Sequence, residues 1–111
     1  MIKVYQIQLT DEEIAAINRG EENEKSVAYF GRSFERTFKA ESFKHYTHVA
    51  NVETDDMEEA FHIMNLWDDE YKVERLGACS SMSVGDILEH DGKFYRCASF
   101  GFTPLEDYWD D

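Results

Sequence analysis

Ser83-Val84-Gly85-Asp86-Ile87-Leu88-Glu89-His90-Asp91-Gly92-Lys93-Phe94-Tyr95-Arg96-Cys97-Ala98-Ser99 is the stretch from which a fold class follows. Two runs rich in β-formers flank Asp91-Gly92. Asp-Gly between such runs is the strongest short hairpin signal, because a type I′ turn needs positive φ at both central residues. The spacing predicts a C-terminal β-hairpin, with Cys97 in mid-strand as a small buried hydrophobe. Ser83-x-Gly85-Asp86 makes a turn into its first strand, and Gly101, Phe102 and Pro104 close the fold.

Working outward, Tyr46 to Thr54 is β-branched and aromatic and reads as a strand. Asp55 with Glu58 is a capping arrangement for the helix that follows. Met57, Ala60, Phe61, Met64 and Trp67 fall on one face of it, and Asp56, Glu58 and Glu59 on the other. Asp68, Asp69 and Glu70 form a polar break, Tyr71 to Leu76 a strand and Gly77 to Ser81 a loop. At the other end, Ile2 to Leu9 reads as a first strand. Thr10 and Glu13 make a capping box and Leu9 and Ile14 a hydrophobic staple, so a helix is expected from Asp11 to Arg19, stopped by Gly20, with Ile14 and Ile17 inward. Glu21 to Ser26 reads as a loop, Val27 to Gly31 as a short strand, and Ser33 to His45 as a short helix. Phe30, Phe34 and Phe38 repeat every four residues as a core-facing stripe does. The expected architecture is a single small α+β domain over residues 1–105, with a mixed or antiparallel sheet, two main helices and the C-terminal hairpin. Residues 106–111 (EDYWDD) form a short acidic tail.

The 111 residues are about one domain's worth, and 42% hydrophobic residues with 8 Phe, 6 Tyr and 2 Trp supply a core that disordered acidic chains lack. No window approaches the roughly 18 apolar residues of a membrane span, and no secretion signal is indicated, so the expected location is the cytoplasm. Cys79 and Cys97 make no C-x-x-C pair and read as reduced structural residues.

The formal charge of -13 is unevenly spread. Residues 1–24 hold six acids and two bases, residues 25–48 two acids and five bases, and residues 49–111 sixteen acids and four bases. Most of this surface would repel nucleic acid. Lys25, Arg32, Arg36, Lys39 and Lys44 do alternate with aromatics from Tyr29 to Tyr46, a pattern that can stack single strands. The expectation is nonetheless core packing with a basic wet side, and no direct nucleic-acid binding.

Candidate chemistry is sparse. His45, His48, His62, His90, Cys79 and Cys97 are possible metal ligands, but His45 and His48 straddle the start of a strand, where period-two geometry separates them, and no zinc spacing exists elsewhere. The serines of Cys79-Ser80-Ser81-Met82-Ser83 lack a nucleophile elbow, and the six glycines are scattered at turns rather than gathered in a phosphate loop. No catalytic residue, cofactor or metal is expected.

Ser81-Met82-Ser83-Val84-Gly85-Asp86-Ile87-Leu88, then Asp91-Gly92-Lys93-Phe94-Tyr95, then Phe100-Gly101-Phe102-Thr103-Pro104-Leu105, resembles the ending of small proteins carried by bacteriophages and mobile elements. It is similar to the YodL-like domains, in which an S-x-S-V-x-D-(I/V) strand precedes a hairpin and a terminal G-F. The likeness covers the last quarter of the chain, with a weaker echo at Tyr46-Thr47-His48-Val49-Ala50. It implies a compact accessory protein, with no catalytic residues to carry over.

The expected function is that of a small non-enzymatic interaction protein, whose clustered acids dock on a basic host protein of DNA processing or defence and inhibit or modulate it, as a DNA mimic in the strongest version. The candidate contact residues are Asp55, Asp56, Glu58 and Glu59, then Asp68, Asp69 and Glu70, and the tail Asp107, Tyr108, Trp109, Asp110 and Asp111. The alternative is a small enzyme or small-molecule-binding domain built on His45, His48, His62 and the aromatic 29–46 segment. A homodimer through a strand edge or the Trp109 tail is a third possibility.

Overall fold

The computed structural model describes residues 1–66 and 69–108. The chain is a single α+β domain around one antiparallel sheet of six strands in the order β3-β2-β1-β4-β5-β6, where β1 is Ile2–Ile7, β2 Tyr46–Val52, β3 Val73–Arg75, β4 Ile87–His90, β5 Lys93–Cys97 and β6 Phe102–Pro104. The hairpin expected at Asp91-Gly92 is present. Asp91 and Gly92 have φ of 52° and 78°, as a type I′ turn requires, and β4 pairs with β5 from His90↔Lys93 to Ile87↔Arg96. No helix among the described residues is long and apolar enough to cross a membrane.

Both faces of the sheet are covered. On one, Ala60, Ile63 and Met64 of helix α3 (Met57–Leu66) pack with Met82 on Ile2, Val4, Ala50, Val52 and Leu88. A bulge opposite Val4/Tyr5 turns Val49 into the same cluster as its neighbour Ala50. On the other face, Phe38, Ala40 and Phe43 from the segment leading through the 3-10 helix Ala40–His45, with Leu105 and Tyr108 of the 3-10 helix Leu105–Tyr108, cover Tyr5, Ile87 and Phe94. Phe43 is the hub of this layer, its ring 5.1 Å from both Tyr5 and Phe94.

Helix α1 (Asp11–Asn18) is capped as its residues dictate. The Thr10 hydroxyl accepts from Glu13 N at 3.1 Å, and the Glu13 carboxylate accepts from Thr10 N at 2.8 Å. Gly20 at φ 84° ends it, with Gly20 N donating to Ile17 O and Glu21 N to Ala16 O, the two bonds of a Schellman motif.

Several expectations are corrected. Val27 to Gly31 is no strand: Glu24–Gly31 forms helix α2, because Asn23 and Ser26 cap it reciprocally, at 2.9 Å from Ser26 N to Asn23 Oδ1 and 3.0 Å from Asn23 N to Ser26 Oγ. Among the described residues there are therefore three α-helices, where two main helices were expected. Ser33 to His45 is turn followed by the short 3-10 helix, and the Phe30/Phe34/Phe38 stripe splits, since Phe38 is buried while Phe30 and Phe34 are exposed. No residue of α1 is buried, and Ile14 does not face a core. The cap of α3 is Asp56, which accepts from Glu58 N and Glu59 N, rather than Asp55, whose carboxylate takes the Met1 ammonium at 2.8 Å. Tyr71 to Leu76 shortens to β3 behind the 3-10 helix Glu70–Lys72. Trp67, expected on the α3 face, lies outside the described residues.

Candidate partner-binding surfaces

The expected contact acids fall into two groups. Lys72 Nζ reaches Glu59 at 3.4 Å, and Lys72 O accepts from Glu53 N, so the helix Glu70–Lys72 lies beside the first turn of α3. This brings Asp55, Asp56, Glu58, Glu59, Asp69 and Glu70 to one end of the molecule. Part of that charge is engaged internally, by Lys72 on Glu59 and by Arg75 on Glu70 at 3.4 Å. Asp55 is held below the usual carboxylate range by its hydrogen bond from the N-terminal ammonium.

The tail does not join them. Asp107 and Tyr108 belong to the helix Leu105–Tyr108, which packs on the opposite sheet face from α3. Tyr108 is a packed residue rather than an exposed anchor. Its ring meets Phe38 edge-on at 4.9 Å, and its hydroxyl donates to Glu35 at 2.8 Å. Asp68, Trp109, Asp110 and Asp111 lie outside the described residues.

Two buried charges organise the layer between hairpin and helices. Arg96 has no exposed side-chain surface, donates to Glu35 Oε2 at 2.6 Å and to Arg32 O at 2.8 Å, and lies 4.9 Å over the Phe38 ring. Asp86 accepts from Gln6 Nε2 and Ser83 N, both at 3.0 Å, and burial pushes its carboxyl up to about 6. Burial likewise pushes the Cys97 thiol up to about 11, which suits a packed and unreactive side chain. These groups are internal braces.

The histidines of the alternative reading do not converge. His45 closes the 3-10 helix with Nε2 3.7 Å from Glu24, and His48 stacks on Tyr5 with Nε2 2.7 Å from Asn51 Oδ1. His62 is exposed on α3, across the sheet from both. Among the described residues no three His, Cys, Asp or Glu side chains are placed to hold a metal ion.

Open concave surface lies elsewhere. A groove of about 690 Å³ runs between the 3-10 helices and β5, floored by Phe43, Phe94 and Leu105 and rimmed by two lysines, Lys44 and Lys93, and two glutamates, Glu41 and Glu106. That rim has no net preference for either sign of charge. A second groove, of about 560 Å³, lies where β1 ends, between Leu9, Ile14 and Ile17 on one side and Tyr29, Phe30 and Cys79 on the other. It is the feature that sequence reasoning missed. The available signal was Asn23 as a helix cap, followed by Val27, Phe30 and Phe34 at helical spacing.

Comparison with protein-family models, with curated proteins and with solved structures finds no match.

Proposed function

We propose that this chain is a non-enzymatic interaction module whose partner is a basic protein. One observation carries this: six of the eleven bases are held in ion pairs with carboxylates of the same chain, while most of the acids other than the buried Asp86 stand on the surface. Arg19, Lys25, Lys44, Lys72, Arg75 and Arg96 each lie within an ion pair with a carboxylate of the same chain. With 24 acids against 11 bases, the field that remains is negative however the pairs form. Such a field steers cationic surfaces toward the molecule and sets their orientation before contacts close.

The densest unspent charge is at the α3 end, where Asp56, Glu58 and Asp69 stand beside the partly engaged Asp55, Glu59 and Glu70. The C-terminal likeness to phage and mobile-element accessory proteins points to a host nucleic-acid-binding or defence protein as the version of this partner to test first. The geometry favours docking of a cationic surface over imitation of a whole duplex, since the acids of α3 and those of Leu105–Tyr108 lie on opposite sheet faces.

The test is affinity capture with the full chain against a variant carrying Asp56→Asn, Glu58→Gln, Glu59→Gln, Asp69→Asn and Glu70→Gln. Retention of basic proteins that falls steeply as salt rises and weakens in the variant supports the proposal. Retention indifferent to salt and to amide replacement overturns it.

A further inference from the structure

We infer that the groove where β1 ends is a docking site for an extended, uncharged and largely apolar segment of another protein, which adds to the sheet beside Ile7. The site goes beyond the proposed basic partner and does not depend on it. The Met1 ammonium meets Asp55 where β1 begins, whereas the groove lies where β1 ends, so the acids of α3 stand at the far end of the strand.

The sheet leaves the place open. Cys97 N donates to Asp86 O, so the main chain of Asp86 faces β5 and that of Ile87 faces β1, where Ile87 pairs with Tyr5. The bulge opposite Val4/Tyr5 lies in β2, with Val49 as the extra residue, and leaves the alternation of β1 intact. The main-chain groups of Ile7 therefore point the same way as those of Tyr5, with Leu9 two residues on. No strand meets them. β4 pairs with Lys3, Val4 and Tyr5 and then turns off, Asp86 N donating to Ser83 O and Gly85 N to Cys97 O. Among the described residues no backbone–backbone hydrogen bond takes up Gln8 or Leu9.

Residues 78–80 border the gap without filling it as a strand would. Side chains hold them: Gln8 Nε2 donates to Ala78 O, while Gln6 Nε2 donates to Ser80 O and Ser80 N to Gln6 Oε1, both at 3.1 Å. An unpaired strand edge with apolar side chains around it is what strand addition uses, main-chain bonds supplying affinity and alternate side chains selectivity.

The walls specify what the added segment carries. In a chain that is 32% charged, every residue lining this groove is uncharged. Ile14 and Phe30 border it and are 44% and 57% exposed, while Gln8, Asn18 and Ser80 supply its amides and hydroxyl. A charged side chain seated here would shed water without meeting an opposite charge. A strand that alternates apolar with small uncharged polar side chains suits such a lining. A helix would leave the Ile7 main chain unmet, because its own backbone groups are bonded internally. A second copy would bring another -13 against the first.

The probe is an acetylated, amidated hexapeptide of valine alternating with threonine, which is uncharged and prone to extend. Two derivatives are N-methylated, one on the valines and one on the threonines, so that each loses the donors of one strand edge. The parent should shift the amides of residues 7, 9, 14, 17, 29 and 30 and slow hydrogen exchange at Ile7. One derivative should bind about tenfold or more weaker than the parent, since a net bond is worth about 1 kcal/mol and the edge facing β1 makes more than one. Ile14→Ser and, separately, Phe30→Ser should weaken the parent while leaving thermal unfolding close to wild type, because both side chains are exposed. Equal affinity of the parent and both derivatives would mean that side chains alone are recognised, and overturns the inference. So does a peptide that shifts nothing, or that shifts only the groove at Phe43, Phe94 and Leu105. A sedimenting dimer whose Ile7 amide is protected before peptide is added makes a second copy the occupant and overturns it too. Because the probe has no charge, each of these results leaves the basic-partner proposal standing, and retention of basic proteins that ignores salt and amide replacement sinks that proposal alone.

Discussion

Arg96 is wholly enclosed, yet the carboxylate it meets at 2.6 Å belongs to Glu35, whose side chain is largely in solvent. The pair is therefore asymmetric. Arg96 reaches out from β5 through the aromatic layer of Phe38 and Tyr108, and fastens the turn after α2 by the Glu35 carboxylate and the Arg32 carbonyl. It ties the α2 side of the groove to the sheet.

Removing the two ends of that pair should have unequal effects. Arg96→Ala takes away the cation, its packing and three acceptors' partner, and should cost about 3–5 kcal/mol in urea unfolding. Glu35→Gln keeps an oxygen that can accept, and the lost charge is screened by water, so about 1 kcal/mol or less is expected. Equal losses would show that the ion pair, rather than the buried guanidinium, holds the segment.

Gly85 is the second tie between hairpin and α2. Its φ is 98°, and a Cβ there would stand 2.4 Å from the Arg32 carbonyl oxygen, a backbone atom that cannot rotate away. Gly92 also has positive φ, but open space around it. Gly92→Ala should cost about 1 kcal/mol from backbone strain alone. Gly85→Ala should exceed about 2 kcal/mol and shift the α2 amide resonances, because strain and collision add. Similar losses at the two glycines in chemical denaturation would contradict the close approach.

What was legible in the sequence was local chemistry. Thr10 with Glu13, Gly20, and Asp91-Gly92 each declare a cap or turn within a few residues, and the structure builds each of them. α2 was misread because its cap uses Ser26 where the familiar pattern has Glu or Gln, and Val27-Ala28-Tyr29-Phe30 resembles strand composition. The exposure of Phe30 and Phe34 is non-local: a stripe at helical spacing says that one face is apolar, never what covers it. Tyr108 looked like a tail residue because Arg96 and Glu35, which hold it, are 12 and 73 residues away. The acids at Asp55–Glu59 and at Asp69–Glu70 were visible as clusters, whereas the placement of Glu70–Lys72 beside the first turn of α3 was not.

The cysteines should separate cleanly by access. Cys97 is buried, with its thiol pushed up to about 11 by burial and the nearby Asp86 carboxylate, while Cys79 is partly exposed beside the groove. Iodoacetamide at mildly alkaline pH should add one label to the native protein, on Cys79, and the second only after denaturation. Rapid native labelling at Cys97 would mean that β5 opens far more readily than its packing implies.

Asp86 should impose an uncommon pH dependence. Its folded value near 6 lies above the ordinary 3.8, because burial disfavours the carboxylate more than the bonds from Ser83 and Gln6 favour it. A group whose folded value is raised contributes stability that is complete below the unfolded value and lost as pH rises through the folded one. Raising pH from 4 to 7 should therefore cost the wild type about 2 kcal/mol relative to Asp86→Asn, which does not ionise there. Glu13, Glu24 and Asp55 act in the opposite sense, since their hydrogen-bond partners lower them and their contribution disappears on acidification. Both proteins share that background, so the difference between their urea-unfolding curves isolates Asp86. A difference that stays flat across this range would show that the carboxylate is as well solvated by its two donors as it would be by water.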